Sequence, residues 1–450
     1  MKEKIIQSNK FDEINKDFIQ KIESLRETLP LVMLFVQANH SRSNSAFSDF
    51  VKKNGIDSTN EEGEEYVSFS TEDSHKYRIL EKNVNIVNAA VHIIPNSLFV
   101  SLISQFDSYL GSLIREIFEV KPQILNSSEK NLSFSKLAEL KTIEELKEFI
   151  IEKEIETVLR DSHSDHFIWL ENKLSLALRK DLPIWQEFIE ITERRNLFVH
   201  NDGIVSSQYL TICRQNNVKF EVEPKLGEKL NVDDDYFEKA YRCLFELSVK
   251  LTQVIWRKLL PSDLEFADES LNDICFDLLR QGQTELTIVL LDFATQTLKK
   301  HFNEETKNVF IVNKALAFKL NNQIKECQDI VNSKDWSASS DKFKIAKEAL
   351  LDNHEEVVKL MRRIGNEGEI EKISYKTWPL FENFRKTELF TSTFKEVFDE
   401  EYVAVDTPKK MLEEIFSKIQ ESPTKKTTIT VKGRVSKKVT ATKKQTKEEK

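Results

Sequence analysis

The sequence predicts an all-α protein. The 450-residue chain contains only nine Gly and nine Pro, about 2% each where roughly 7% and 5% are usual. Sandwiches, barrels and dinucleotide folds all need more turn residues than that. Forty per cent of the residues are hydrophobic and 31% are charged, enough apolar material for packed cores. The apolar residues recur mainly at steps of three and four, the helical period.

Taken in order, residues 1–38 read as one or two helices. They include the most apolar run, Leu29–Ala38 (LPLVMLFVQA), which is too short to span a bilayer. Asn39–Lys76 is rich in Ser, Asn and Glu and reads as a long polar loop. Pro95-Asn96-Ser97 then reads as a helix start. Phe99, Ile103, Phe106, Leu110, Leu113 and Ile117 follow as one apolar stripe that must pack against other helices. Lys121-Pro122 should end that helix, and Ser135–Arg160 should add one or two shorter ones. His163-Ser164-Asp165-His166 reads as a polar break before Phe167–Leu178. After Asp181-Leu182-Pro183 a helix should run to about His200 and stop at Asn201-Asp202-Gly203. Ile204–Val222 has strand-like content, and Asp233–Leu260 reads as a long helix. Pro261-Ser262-Asp263 marks the expected domain boundary. Beyond it, helix-sized amphipathic blocks alternate with short polar gaps, the texture of a TPR-like array of helical hairpins.

Net charge is −9 and unevenly placed. Ser422–Lys450 holds ten Lys/Arg and two Glu, which leaves −17 for the first 421 residues. An acidic body argues against non-specific nucleic-acid binding, and the basic segment reads as a disordered tail. The four Cys (213, 243, 275, 327) lie about 30 residues or more apart and form no disulfide framework. A charged N-terminus without an apolar h-region points to a cytoplasmic protein with no membrane partner. Phosphate-loop, dinucleotide, zinc-protease and hydrolase-elbow motifs are absent from the sequence.

The chemistry-bearing segment is Arg195-Asn196-Leu197-Phe198-Val199-His200. On a helical wheel Ile184, Phe188, Ile191 and Phe198 form a buried stripe, and Arg195 takes the stripe's place between Ile191 and Phe198. Asn196 and His200 lie one turn apart on the adjacent stripe. Polar groups on an apolar seam cost stability unless they are paired or used. Arg195 and His200 are about 140° apart around the axis, so they flank the seam rather than share a ridge. Arg194 also has the spacing to His200, but it points away from the stripe and reads as a solvated charge. Arg160 and His166 repeat the spacing in the polar break and read as a surface coincidence. His163 and His166 with Asp161 and Asp165 suggest a metal pair only weakly; a solvated loop is the expectation there. Asp107 lies beside the Phe99–Ile117 stripe, either as an ordinary boundary carboxylate or as a partner for Arg195 across the bundle.

Arg195 to Asn201 resembles the Rx4–6H motif of the HEPN superfamily, in the form with a polar residue after the Arg. Phe106-Asp107-Ser108-Tyr109-Leu110-Gly111-Ser112-Leu113-Ile114-Arg115 is similar to the first core helix of such domains. The resemblance covers roughly residues 90–255. It implies a metal-independent RNA endonuclease without cofactor, acting as a homodimer. In that reading His200 moves protons, Arg195 stabilises the scissile phosphate and Asn196 orients either, with Asp107 and Arg194 as weaker supporting candidates. It leaves open a catalytically inactive scaffold that only dimerises. The position two after His200 is Asp202 rather than Tyr, which sets the chain apart from one toxin–antitoxin subtype. The expected organisation is an N-terminal extension (1–90), a HEPN-like bundle (91–260), a TPR-like region (261–421) that binds a protein partner or antitoxin, and the basic tail (422–450).

Overall fold

The computed structural model describes residues 9–59, 65–127, 139–140 and 142–404. It is all-α, apart from one two-stranded hairpin. Helix α1 (Lys10–Asn54) starts on an Asn9 cap, and Gly55 leads into the hairpin β1 (Ile56–Thr59) and β2 (Glu65–Ser68). Helix α2 (Thr71–Val120) then runs back along α1. The expected polar loop 39–76 is therefore mostly helix and hairpin. One of its Ser residues is satisfied between the two helices: Ser43 is buried and accepts a bond from Asn83 at 3.0 Å. Phe47 and Phe50 meet Tyr77 and Phe69 as ring pairs. Composition alone misreads a two-helix arm held by aromatic pairs and the Ser43–Asn83 bond.

Pro95 does not start a helix but lies inside α2, as Pro30 lies inside α1. Each proline forfeits one backbone bond, yet both helices continue through it. The predicted stripe Phe99, Ile103, Phe106, Leu110, Leu113 and Ile117 is fully buried, worth about 1.5–3 kcal/mol per large side chain. Phe11, Phe18 and Ile22 of α1 are buried too, with Phe18 against Phe106 and Tyr109. Residues 1–90 are thus no mere extension, since the first half of α1 is core.

Helix α3 (Ile143–Arg160) packs on α2 where Gly111 lets the two approach: a Cβ there would sit 3.2 Å from Leu159. Helices α4 (His163–Leu174), α5 (Trp185–His200), α6 (Ser207–Gln215) and α7 (Asp234–Leu259) follow. Two expectations are corrected here. His163–His166 is the first turn of α4, and the strand-like Ile204–Val222 contains α6, capped by Ser206, with only an isolated bridge from Ile204 to Lys229.

The remaining helices are α8 (Leu264–Gln281), α9 (Thr284–Asp292), α10 (Glu304–Leu320), α11 (Ile324–Asn332), α12 (Asp341–Leu350), α13 (His354–Ile364), α14 (Lys372–Thr377), α15 (Glu382–Arg385) and α16 (Glu388–Phe398). Consecutive ones pack together, α9 on α10, α10 on α11 and α12 on α13. No domain boundary falls at Pro261. Asn9 bonds Asp263 at 2.7 Å, Ser270 bonds Asp12 at 2.6 Å, and residues up to Glu400 form one unit. The tail 422–450 lies outside the described residues.

All four Cys are buried and reduced. Burial pushes the Cys213 thiol up to about 12 and the Cys327 thiol up to about 11, so they are inert. An 18-residue window of α2 is long and apolar enough to cross a membrane by composition, and 28% of it is buried. Exposed Leu34 and Phe35 of α1, with Ile86 and Ile93 of α2, leave the arm's outer face apolar.

Candidate functional site

Helix α5 carries the motif and buries Phe188, Ile189, Ile191 and Leu197. Its end is fixed by backbone: the N–H groups of Asn201 and Gly203 both donate to the Leu197 carbonyl, at 2.8 and 3.0 Å. Gly203 has φ +77°, and a Cβ there would lie 2.8 Å from the Phe198 ring and 2.9 Å from the Leu230 carbonyl oxygen. Only glycine fits that stop.

The two adjacent arginines have opposite fates. Arg194 is not solvated, as the wheel suggested, but buried. Its Nε donates to Glu190 Oε1 at 2.7 Å and its guanidinium lies 3.8 Å from the Tyr236 ring centre. Glu190 also accepts from the Tyr209 and Tyr236 hydroxyls, each at 2.7 Å. Burial lowers the Arg194 pKa, but Tyr236 and Glu190 outweigh it and hold the charge more firmly than usual. The wheel failed because α6 and α7 cover a face that would otherwise meet water.

Arg195 turns the other way, toward α2. Its Nη2 lies 3.6 Å from Asp107 Oδ2, and its Nη1 donates to Asn196 Oδ1 at 3.2 Å. The side chain stays 24% exposed. Asn196 in turn reaches Glu193 Oε1 at 3.4 Å. Of the two readings of Asp107, the structure places it opposite Arg195.

The other oxygen of Asp107 is 2.8 Å from His163 Nε2. The His163 ring stands 5.1 Å from the His166 ring and edge-on to Phe188. His166 is 1% exposed, and neither of its ring nitrogens has a well-formed hydrogen bond among the described residues. The expected solvated loop is thus the inner wall of a polar cluster: Arg195, Asn196, Glu193, Asp107, His163 and His166. The sequence did carry a signal. Ser162-x-x-Asp165 is a capping box, and Ser162 Oγ indeed accepts from the Asp165 N–H at 3.3 Å and donates to its carboxylate at 2.6 Å. A capped helix at Ser162 would have turned His163 and His166 inward.

His200 is not part of this cluster. It sits exposed at the end of α5 and makes no hydrogen bond or ion pair with any described residue. Arg195 is anchored and half-open, whereas His200 faces solvent farther along the helix. Among the described residues no group of three His, Cys, Asp or Glu is placed to hold a metal. A groove of about 500 Å³ between α1 and α2 lies elsewhere, and its charges pair with each other, Lys10 with Glu13 and Lys21 with Asp17.

Burial holds the His166 imidazole below its ordinary range, the charge of His163 adds to this and Asp107 opposes it. The unfolded chain takes up a proton near pH 6.5 that the folded chain refuses. Stability from this group is therefore full above about pH 6.5 and falls as pH drops below it, by at most about 1.4 kcal/mol per pH unit. Urea unfolding at pH 7.5 and 5.5 checks this. His166→Leu should narrow its gap from wild type at the lower pH; a gap independent of pH assigns the titration to other groups.

Comparison of the chain with protein-family models, curated proteins and solved structures returns no match.

Proposed function

We propose that this chain is a metal-independent RNA endonuclease of the HEPN type, cytoplasmic and dimeric, without cofactor. One observation carries the reading. Arg195 is held by Asp107 and Asn196 yet keeps 24% of its side chain open, as a guanidinium must if it is to receive a phosphate in fixed geometry. RNA supplies its own nucleophile, the 2′-hydroxyl, so the protein needs only proton transfer and charge stabilisation. Arg195 stabilises the added negative charge of the pentacoordinate phosphorus. Exposed His200 exchanges a proton with the substrate. The products are a 2′,3′-cyclic phosphate and a 5′-hydroxyl. A homodimer would set two α5 ends into one groove. The helices from Leu264 to Phe398 are then the surface for a protein partner or antitoxin, in the manner of toxin and phage-defence systems, an argument by analogy of fold alone.

A second reading is a catalytically inactive bundle that only dimerises. It is favoured by Asp107, which already neutralises Arg195. Cleavage of total RNA in EDTA separates the two. Arg195→Ala and His200→Ala, with folding checked by circular dichroism, should each lower the rate by about 10²–10⁴-fold. Wild type and both variants degrading RNA equally, or not at all, removes the nuclease.

A further inference from the structure

We propose that the imidazole working beside Arg195 within one copy of the chain is His163, oriented by Asp107, as the general base for the 2′-hydroxyl. The inference rests on the nuclease reading and deepens it.

The geometry is that of a carboxylate–imidazole dyad joined to a guanidinium. Asp107 Oδ1 is 2.8 Å from His163 Nε2, and Asp107 Oδ2 is 3.6 Å from Arg195 Nη2. An ionised carboxylate accepts only, so Nε2 carries the hydrogen and Nδ1 holds the lone pair. Nδ1 has no partner among the described residues, and the His163 side chain is 11% exposed. A base in this tautomer gains an adjacent negative charge that stabilises the imidazolium it becomes. His200 lacks any such orienting group. It also lies about 7.5 Å along the axis from Arg195 and about 140° around it, so it does not share Arg195's side of the helix.

Every charged group facing His163 is named by its element: Asp107 from α2, Glu193 and Arg195 from α5, and His166 on its own helix. Phe188 closes the remaining side. Two further polar groups of the cluster are buried without hydrogen bonds, Arg195 Nε and the His166 ring.

In the step proposed, His163 Nδ1 takes the 2′-hydroxyl proton while O2′ bonds to phosphorus. The bond from phosphorus to O5′ breaks, and O5′ leaves with a proton from the partner's His200 in the proposed dimer. No oxidant or metal enters the balance.

The test uses the full chain. His163→Gln keeps an N–H at the Nε2 position for Asp107 but cannot titrate. It should cut RNA cleavage by about 10²–10⁴-fold and abolish the acid limb of the pH–rate profile, where the base must lose its proton. His163→Gly should regain activity with added imidazole, which a merely structural histidine would not allow. Imidazole NMR signals of wild type, titrated with a 2′-deoxy oligonucleotide that cannot be cleaved, should move for His163, and Arg195→Ala should abolish the movement. If Arg195→Ala is inactive but His163→Gln keeps wild-type rate and pH profile, the assignment of His163 falls and the nuclease stands. Wild type that cleaves nothing removes both, and an unmoved His163 signal overturns the shared site whatever the cleavage result.

Discussion

Glu190→Ala is expected to destabilise the protein by about 3–5 kcal/mol, the range for stripping one partner from a buried ion pair, whereas Arg195→Ala, next to the same turn, should cost less than about 1 kcal/mol. The contrast follows from surroundings alone. Glu190 is 5% exposed at its side chain and Arg194 14%, against 24% and 28% for Arg195 and Asp107. Without the Glu190 carboxylate, the Arg194 guanidinium stays buried against Tyr236 with its countercharge gone, and the Tyr209 and Tyr236 hydroxyls lose their acceptor. That one carboxylate ties α5 to α6 and α7. Its loss should loosen the end of α5, so RNA cleavage falls as a consequence of unfolding and recovers in the cold or in osmolyte. Arg195→Ala should do the reverse, with near-normal urea midpoint and no recoverable activity. Equal midpoints for the two variants would mean that the Arg194 network carries no stability.

The sequence revealed some of this readily and hid the rest for identifiable reasons. The all-α class, the Phe99–Ile117 stripe and the helix ending at Gly203 follow from periodicity and turn chemistry, which are local. Arg195 stands out because it interrupts an apolar face, and Asp107 because it lies beside the Phe99–Ile117 stripe within reach of a partner across the bundle. The identity of their third companion depended on tertiary placement. His163 and Asp107 are 56 positions apart, and composition around His163 resembles a loop. Arg194 was misread because a wheel describes one helix and knows nothing of the two that cover it. The arm formed by α1 and α2 was missed because a few spaced contacts, Phe47–Tyr77, Phe50–Phe69 and Ser43–Asn83, hold helices whose other residues are polar.

The false boundary at Pro261 is the costliest of these errors, and Asp268 measures it. The carboxylate is fully buried and binds three groups at once: Arg257 Nη2 of α7 at 2.6 Å, His301 Nδ1 at 2.9 Å and the Phe302 N–H at 2.8 Å. Asp268→Ala should cost about 3–5 kcal/mol, because Arg257, 9% exposed, is left without its countercharge. Burial alone would raise the Asp268 pKa, yet its bonds to His301, Phe302 and Arg257 outweigh that and hold it below the ordinary range. With a folded value depressed from the unfolded one, near 3.9, this contribution is full above about pH 4 and is lost as pH falls through the folded value. The gap between wild type and Asp268→Ala should therefore close in acid, measured by urea midpoints at pH 7 and 3. A chain cut at Leu260 removes Asp268, Asp263 and Ser270 together, and with them the partners of Arg257, Asn9 and Asp12. It should fail to fold, whereas a true boundary at Pro261 would leave a soluble, cooperatively melting fragment. The same helix α7 supplies Tyr236 to the Glu190 network at one end and Arg257 to Asp268 at the other.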